Sequence, residues 1–278
     1  MQPSPGNSGS SLRSGNSLAL TARIRGIGLL GPGFDSWAQG VEVLAGATPY
    51  VSRATVLVAP TALPAAERRR TGTVVKLTLA IGFEAVSRSG MKASELPTVF
   101  SSSGGDGNNC HEICQTLASE DRQISPTRFH NSVHNAASGY WSIAAAATAA
   151  SNVLCAFDAT FGAGLLEALT QVAVERTPVL LMAYDSGYPE PLGTVRPIPD
   201  AFGVAIVLEP VGSEPGPRIT ASLTGDRAEQ MADAQLEALR VAIPAARSLP
   251  LLTKLARHES GRVIIDYLET QRIAVEVS

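Results

Sequence analysis

The sequence predicts an α/β protein built on one β-sheet covered by helices on both faces, and three observations carry that expectation. Short apolar runs such as SNVLCAF, PVLLMAYDS and FGVAIVLEP have the length and composition of buried strands. Segments with helical apolar spacing alternate with them, and Gly, Pro and Ser clusters separate the two kinds. With 45% hydrophobic and 17% charged residues over 278 positions, the chain can bury a substantial core.

In chain order, LALTARIRGIGLLGPG reads as a strand ending in a Gly-Pro-Gly turn, and FDSWAQGVEVLAG as a short helix. Residues 63–90 read as one long helix with Val74, Leu77, Ile81 and Val86 on a buried stripe and Arg68, Arg69 and Arg70 at a solvated entrance remote from substrate. ELPTVFSSSGGDG reads as a strand running into a glycine turn, followed by the helix NCHEICQTLAS. Residues 136–150 are small and helical, SNVLCAF is a strand, and GAGLLEALTQVAVERT is a helix with Leu165, Leu166, Leu169 and Val172 facing inward. PVLLMAYDS is another strand, and PLGTVRPIPD is the most irregular loop. FGVAIVLEP and RITASLTG look like a strand pair joined by the Pro/Gly turn SEPGPR, MADAQLEALRVAI is a helix, and RVIIDYLETQRIAVEVS is closing strand material. The expected organisation is a disordered tail over residues 1–17, rich in Ser, Gly, Asn and Pro, and one domain over 18–278.

The charge balance, 22 Lys+Arg against 25 Asp+Glu for a net of −3, excludes a strongly basic nucleic-acid binder and a polybasic membrane surface. Residues 136–157 carry no charge, but alanine contributes little to membrane transfer, so a buried helix and strand are expected there instead of a transmembrane segment. Three irregularly spaced cysteines do not make a disulfide framework, and the reducing cytoplasm is the expected compartment.

Four residue patterns could carry chemistry. Cys110, Cys114, His130 and His134 form C-x3-C, fifteen residues, H-x3-H, which is compatible with a four-ligand zinc site, although Cys110 and Cys114 would also pack on one helical face as small apolar thiols. SSSGGDGNN could offer backbone N–H groups to a phosphate, but it fits neither a dinucleotide fingerprint nor a Walker loop, and no cofactor is expected. A Ser-His-Asp hydrolase lacks its G-x-S-x-G elbow. Asp158 stands between a strand and a helix, at the turn where α/β enzymes expose nucleophiles, and equally at the place where an aspartate caps a helix N-terminus.

Taken in order, RIRGIGLLGPG, FSSSGGDG, Ile124-Ser125-Pro126, NAASGYWSI, SNVLCAFDATFGAGLLEAL, PVLLMAYDS and FGVAIVLEP resemble the N-terminal half of the β-ketoacyl synthases, members of the thiolase-like superfamily. The narrower likeness is to the short chain-length-factor-like homologues of aryl polyene pigment pathways. It spans about residues 22–225, with a divergent extension after it. The resemblance implies a thiolase-like half with a mixed sheet, lacking the C-terminal half of a full ketosynthase. It places Asp158 where a working enzyme carries its acyl-accepting cysteine, and Cys155, three residues earlier, is not promoted to that role. The two catalytic histidines and the second oxyanion donor belong to the C-terminal half, and His258 in LARHESG fits neither histidine motif.

The resemblance therefore implies a protein that is not an enzyme by itself but the partner of a catalytic ketosynthase, working on chains carried by an acyl carrier protein. It also implies that Arg128, Phe129 and Val133 reach the heterodimer interface near the partner's acyl tunnel, with Phe129 as a gate, and that the chain could form a homodimer when alone. The alternatives are an altered enzyme acting on carrier-bound malonyl or acyl groups through Asp158, and a zinc-binding protein using the two cysteines and two histidines.

Overall fold

The computed structural model of the protein describes residues 19–278, so the tail expected over 1–17 lies outside the described residues. The elements follow as β1 (Leu20–Leu30), α1 (Trp37–Leu44), α2 (Ala65–Arg68), α3 (Thr73–Ser89), β2 (Thr98–Ser101), α4 (Gly107–Ala118), α5 (Pro126–His130), α6 (Ala136–Ala145) and β3 (Ser151–Leu154). Then come α7 (Thr160–Glu175), β4 (Val179–Asp185), α8 (Leu192–Val195), β5 (Phe202–Glu209), β6 (Arg218–Thr224), α9 (Ala234–Ala242), α10 (Leu249–Ala256), β7 (Gly261–Ile265) and β8 (Arg272–Val277). The strands form one mixed sheet in the order β3-β2-β4-β5-β1-β6-β8-β7. β2 runs parallel to both β3 and β4, while β1 is antiparallel to both β5 and β6.

Alternation along the strands divides the core between the two faces of the sheet. Val99 and Leu181 point to a cluster closed by α1, α7, α9 and α10, whereas Phe100, Leu180 and Met182 point to a second cluster under α3 and α6. The opening strand shows why its glycines matter. A Cβ on Gly26 would meet the carbonyl of Ala85 and one on Gly28 the carbonyl of Ile81, so α3 lies directly on the backbone of β1. The same strand carries a buried ion pair, Arg23 opposite Glu209 on β5, and Arg23 also donates to the Pro215 carbonyl at 3.0 Å.

The structure corrects several expectations. The long helix over 63–90 is broken: α2 ends at Arg68, and α3 restarts after Gly72 with its predicted stripe of Val74, Leu77, Ile81 and Val86 buried. The arginine turn is not isolated, since Asn131, just after α5, donates to the Arg70 carbonyl at 3.1 Å. The helix expected over 136–150 ends at Ala145, where Ala146 takes a left-handed conformation. On α7, Leu166 is half-buried and Ala168 completes the buried face with Leu165, Leu169 and Val172. β5 and β6 are not a hairpin, because β1 lies between them. The Pro/Gly connection crosses β1 at Arg23 and Ile24, where its β5 and β6 pairings meet, and the Pro217 carbonyl accepts from the Ile24 N–H at 2.9 Å. Beyond β1 the outer face of the sheet has less cover, and Leu223 is exposed there.

The segment 244–256 escaped the sequence reading because Pro244 and Pro250 resemble loop punctuation. Both stand in the first turn of a helix, where proline needs no hydrogen-bond partner, the first opening a 3₁₀ turn over Pro244–Ser248 and the second opening α10. Leu249, Leu251, Leu252 and Leu255 of this segment are buried in the larger core cluster. Among the described residues no helix is long and apolar enough to cross a membrane.

The close approach of α3 to β1 generates a direct test. Gly28→Ala should destabilise the protein by about 2 kcal/mol through overpacking, read as a lowered urea midpoint with an unchanged slope. An unaltered midpoint would mean that α3 shifts outward at no cost.

Candidate functional site

The C-terminal ends of β2, β3 and β4 converge on one region, the place where open α/β sheets carry their sites. After β3 the chain turns sharply through Cys155 and Ala156 into a 3₁₀ turn over Phe157–Ala159 and then into α7. Phe157 adopts φ +52°, a left-handed conformation costing a non-glycine residue about 1 kcal/mol. Thr160 closes the turn. Its hydroxyl donates to the Phe157 carbonyl at 2.6 Å and accepts from the Ala156 N–H at 3.3 Å.

Asp158 is therefore not the cap of α7, whose N-terminus has no side-chain cap. Its carboxylate faces two guanidiniums instead, with Oδ1 2.8 Å from Arg196 and Oδ2 3.2 Å from Arg247. Arg247 also donates to the Asp158 backbone carbonyl at 2.8 Å, so it grips the residue twice. Arg196 stacks its guanidinium 3.7 Å from the centre of the Phe157 ring. Partial burial works against the Arg196 charge, but the hydrogen bond and charge of Asp158, with a smaller contribution from Tyr188, hold its pKa above the usual arginine value.

The cradle of backbone amides considered for SSSGGDGNN is filled from within. A Cβ on Gly104 or Gly107 would run into the Tyr188 ring, so the glycines give space to that tyrosine, which descends from the loop between β4 and α8. Cys155 points at the same turn, donating its thiol to the Ser103 carbonyl at 3.0 Å. Beneath lies Asp185, the last residue of β4, which accepts from the backbone N–H groups of Ser103 and Ala245, both at 2.8 Å. Burial pushes the Asp185 carboxyl up to about 6, while these donors pull it down in part. Sequence reasoning did not single out Asp185, Arg196, Arg247 or Tyr188. Asp185, a carboxylate ending an otherwise apolar strand, was the one visible signal.

The zinc reading does not survive folding. Cys110 and Cys114 share one exposed face of α4, but among the described residues no group of three or more histidine, cysteine or acidic side chains is placed to hold a metal ion. Partial burial and the neighbouring Cys114 thiol push the Cys110 thiol upward. His130 instead lies edge-on to the Tyr140 ring, and burial lowers the His134 pKa.

Arg128, Phe129 and Val133 lie on α5 and the turn after it, on the surface. Phe129 is 68% exposed and Val133 53% exposed, while Arg128 pairs with Glu112 of α4 at 3.1 Å. His258 stands apart in the turn after α10, with φ +54°.

The raised Asp185 value sets a pH dependence with a definite sign. Because its folded-state pKa lies above the ordinary carboxyl value of 3.8, its contribution to stability is fully present below about pH 4 and is lost as pH rises through about 6. We expect Asp185→Asn to remove that slope from a plot of unfolding free energy against pH. A slope that persists in the variant would assign it to another group.

Comparison with known proteins places this geometry. The family described as beta-ketoacyl synthase, N-terminal domain, matches residues 37–264. No curated protein matches the sequence. Among solved structures, one titled as a ketosynthase (ApeO) in complex with its chain length factor (ApeC) from Xenorhabdus doucetiae superposes with a TM-score of 0.71 at 23% identity. That alignment covers 92% of this chain and 99% of the other. The ishigamide ketosynthase/chain length factor gives 0.69 at 13% identity, with the same coverage. A type II polyketide synthase acyl-carrier protein in complex with its ketosynthase, AntDE:AntF, gives 0.66 at 10% identity, covering 94% of this chain and 99% of the other. At these identities the superpositions establish a shared fold. With the family match extending over most of its length, the chain belongs to the β-ketoacyl synthase N-terminal domain family.

Proposed function

We propose that this protein is a non-catalytic, chain-length-factor-type partner of a catalytic ketosynthase subunit, shaping acyl-chain elongation on an acyl carrier protein in the cytoplasm. The products would be of the polyene, polyketide or fatty-acid-like kind. One observation carries the reading. At the turn where a working ketosynthase presents its cysteine, this chain presents Asp158 locked between Arg196 and Arg247, and a carboxylate cannot take an acyl chain as a thioester. Three of the solved structures that superpose on it are ketosynthase complexes with a chain length factor or a carrier protein, and these superpose better than two ketosynthases without such a partner in their description, which supports the same assignment.

The edges of the sheet support a partner at β3. At the opposite edge β7 is guarded: the Glu229 N–H donates to the Ile264 carbonyl at 2.9 Å, and Arg262 pairs with Asp226 at 2.7 Å. Among the described residues β3 has no such guard. Its outer side pairs with no strand among them, Ser151 and Asn152 are exposed, and the residues from Ala136 to Phe157 carry no charge, although Glu167 of α7 accepts from the Asn152 amide at 3.0 Å. Unpaired backbone N–H and C=O groups along an uncharged edge are met best by another strand, which a ketosynthase-like subunit would supply.

The reading is tested by co-expression with ketosynthase subunits, mass analysis of the eluted complex and a carrier-protein elongation assay. A stable 1:1 complex is expected, with no turnover by this chain alone. Asn152→Lys, which puts a charge beside the exposed edge and replaces the amide that donates to Glu167, should weaken the complex by about tenfold or more, with the melting temperature of the free variant verifying that it is folded. Phe129→Ala, and to a lesser degree changes at Arg128 or Val133, should alter product length while leaving the complex intact. The place of Asp158, at the turn between β3 and α7, leaves one second reading, an altered enzyme acting on carrier-bound malonyl or acyl groups through that carboxylate. Turnover by the isolated chain that disappears in Asp158→Asn would establish this reading and refute the first.

A further inference from the structure

Phe157 is a large aromatic side chain left 60% exposed, and a linked set of contacts holds it there. Its backbone sits in the left-handed region, and its ring lies under the Arg196 guanidinium. Arg196 is in turn held by Asp158, and Asp158 by the double grip of Arg247. Three segments distant in sequence thus converge on one exposed ring: the turn after β3, the loop before β5 and the 3₁₀ turn before α10. Asp158, Arg196 and Arg247 could satisfy one another without presenting an aromatic side chain to solvent. Among the described residues nothing covers the exposed face of the ring.

Position supplies the explanation. Phe157 follows the unguarded edge strand β3 by three residues, and next to Arg196 the α8 residues Leu192 and Val195 are also exposed, at 46% and 77%. A partner strand laid along β3 would carry its own subunit onto this corner. We propose that Phe157 is the anchor of the interface, seating in an apolar pocket of the strand-bearing ketosynthase subunit, and that Arg196 is a positioning residue that pre-forms the ring for it. The inference rests on the heterodimer reading above. Preorganisation is what makes such an anchor effective, because a ring already immobilised loses little entropy when it docks. The occupant is a folded subunit and not a lipid or a free acyl chain, since the neighbouring edge presents backbone hydrogen-bonding groups that only another strand can satisfy along its length.

The test uses the full chain and a full-length ketosynthase subunit that co-purifies with it, with dissociation constants measured by titration calorimetry. Phe157→Ala should weaken the complex by about 30-fold or more, while Phe157→Leu retains much of the affinity. Arg196→Gln should weaken it by about tenfold in the wild-type background and have little effect in the Phe157→Ala background, because it acts through the ring. Melting temperatures and circular dichroism of the free variants verify that each is folded. Wild-type affinity in Phe157→Ala would overturn the anchor while leaving the heterodimer standing. An equal loss from Arg196→Gln in both backgrounds would overturn its positioning role. Failure of the wild-type chain to bind any ketosynthase would overturn the heterodimer and the anchor together.

Discussion

The buried carboxylate of Asp185 is the point from which the functional end of the molecule is organised. Two backbone amides from segments far apart in sequence, Ser103 at the glycine turn and Ala245 at the 3₁₀ turn before α10, both donate to it. Burying a carboxylate costs free energy that only such donors offset, and the raised titration point records that cost. In exchange, the end of β4, the turn after β2 and the segment bearing Arg247 are held in one register. Arg247 then holds Asp158, Asp158 holds Arg196, and Arg196 holds the Phe157 ring. Each step is a contact between elements that the sheet brings together.

This chain of contacts surrounds the two turns that the sequence offered for chemistry. The glycine turn after β2, which by sequence could cradle an anion, is filled by Tyr188. The turn after β3, which by resemblance could carry a nucleophile, carries a carboxylate engaged at both oxygens. Beside these strand ends the structure exposes a short uncharged edge strand, the α5 segment and the Phe157 corner, the surfaces on which the proposed recognition of another subunit rests.

Asymmetry between the two sheet edges follows the same logic. β7 is blunted by a crossing backbone segment and by Arg262 with its acidic partners, as expected of an edge that must stay in solvent. β3 is four residues long and lacks charge, which limits its hazard as an isolated edge while leaving it competent to pair.

Much of the architecture was legible in the sequence by itself. Strand and helix periodicities located β1 to β5 and the longer helices between them, because an apolar run of seven or eight residues such as β4 or β5 has little choice but to be buried on both faces. They did not locate the short α5 and α8 or the break between α2 and α3. The glycines of β1, the negative net charge and the aspartate in the turn after β3 were equally plain, and their common order carried the family resemblance. Tertiary structure alone decided the rest. Strand pairing depends on long-range contacts, so the sequence neighbours β5 and β6 could be parted by β1, and two prolines that read as loop could each start a helical turn. The spacing of Cys110, Cys114, His130 and His134 suggested a metal site that the folded helices do not assemble. Asp158 had an ambiguous role until Arg196 and Arg247, 38 and 89 residues further along the chain, came within hydrogen-bonding distance. Local sequence sets periodicity and turn chemistry, whereas the partners of a polar group are chosen by the fold that carries them to it.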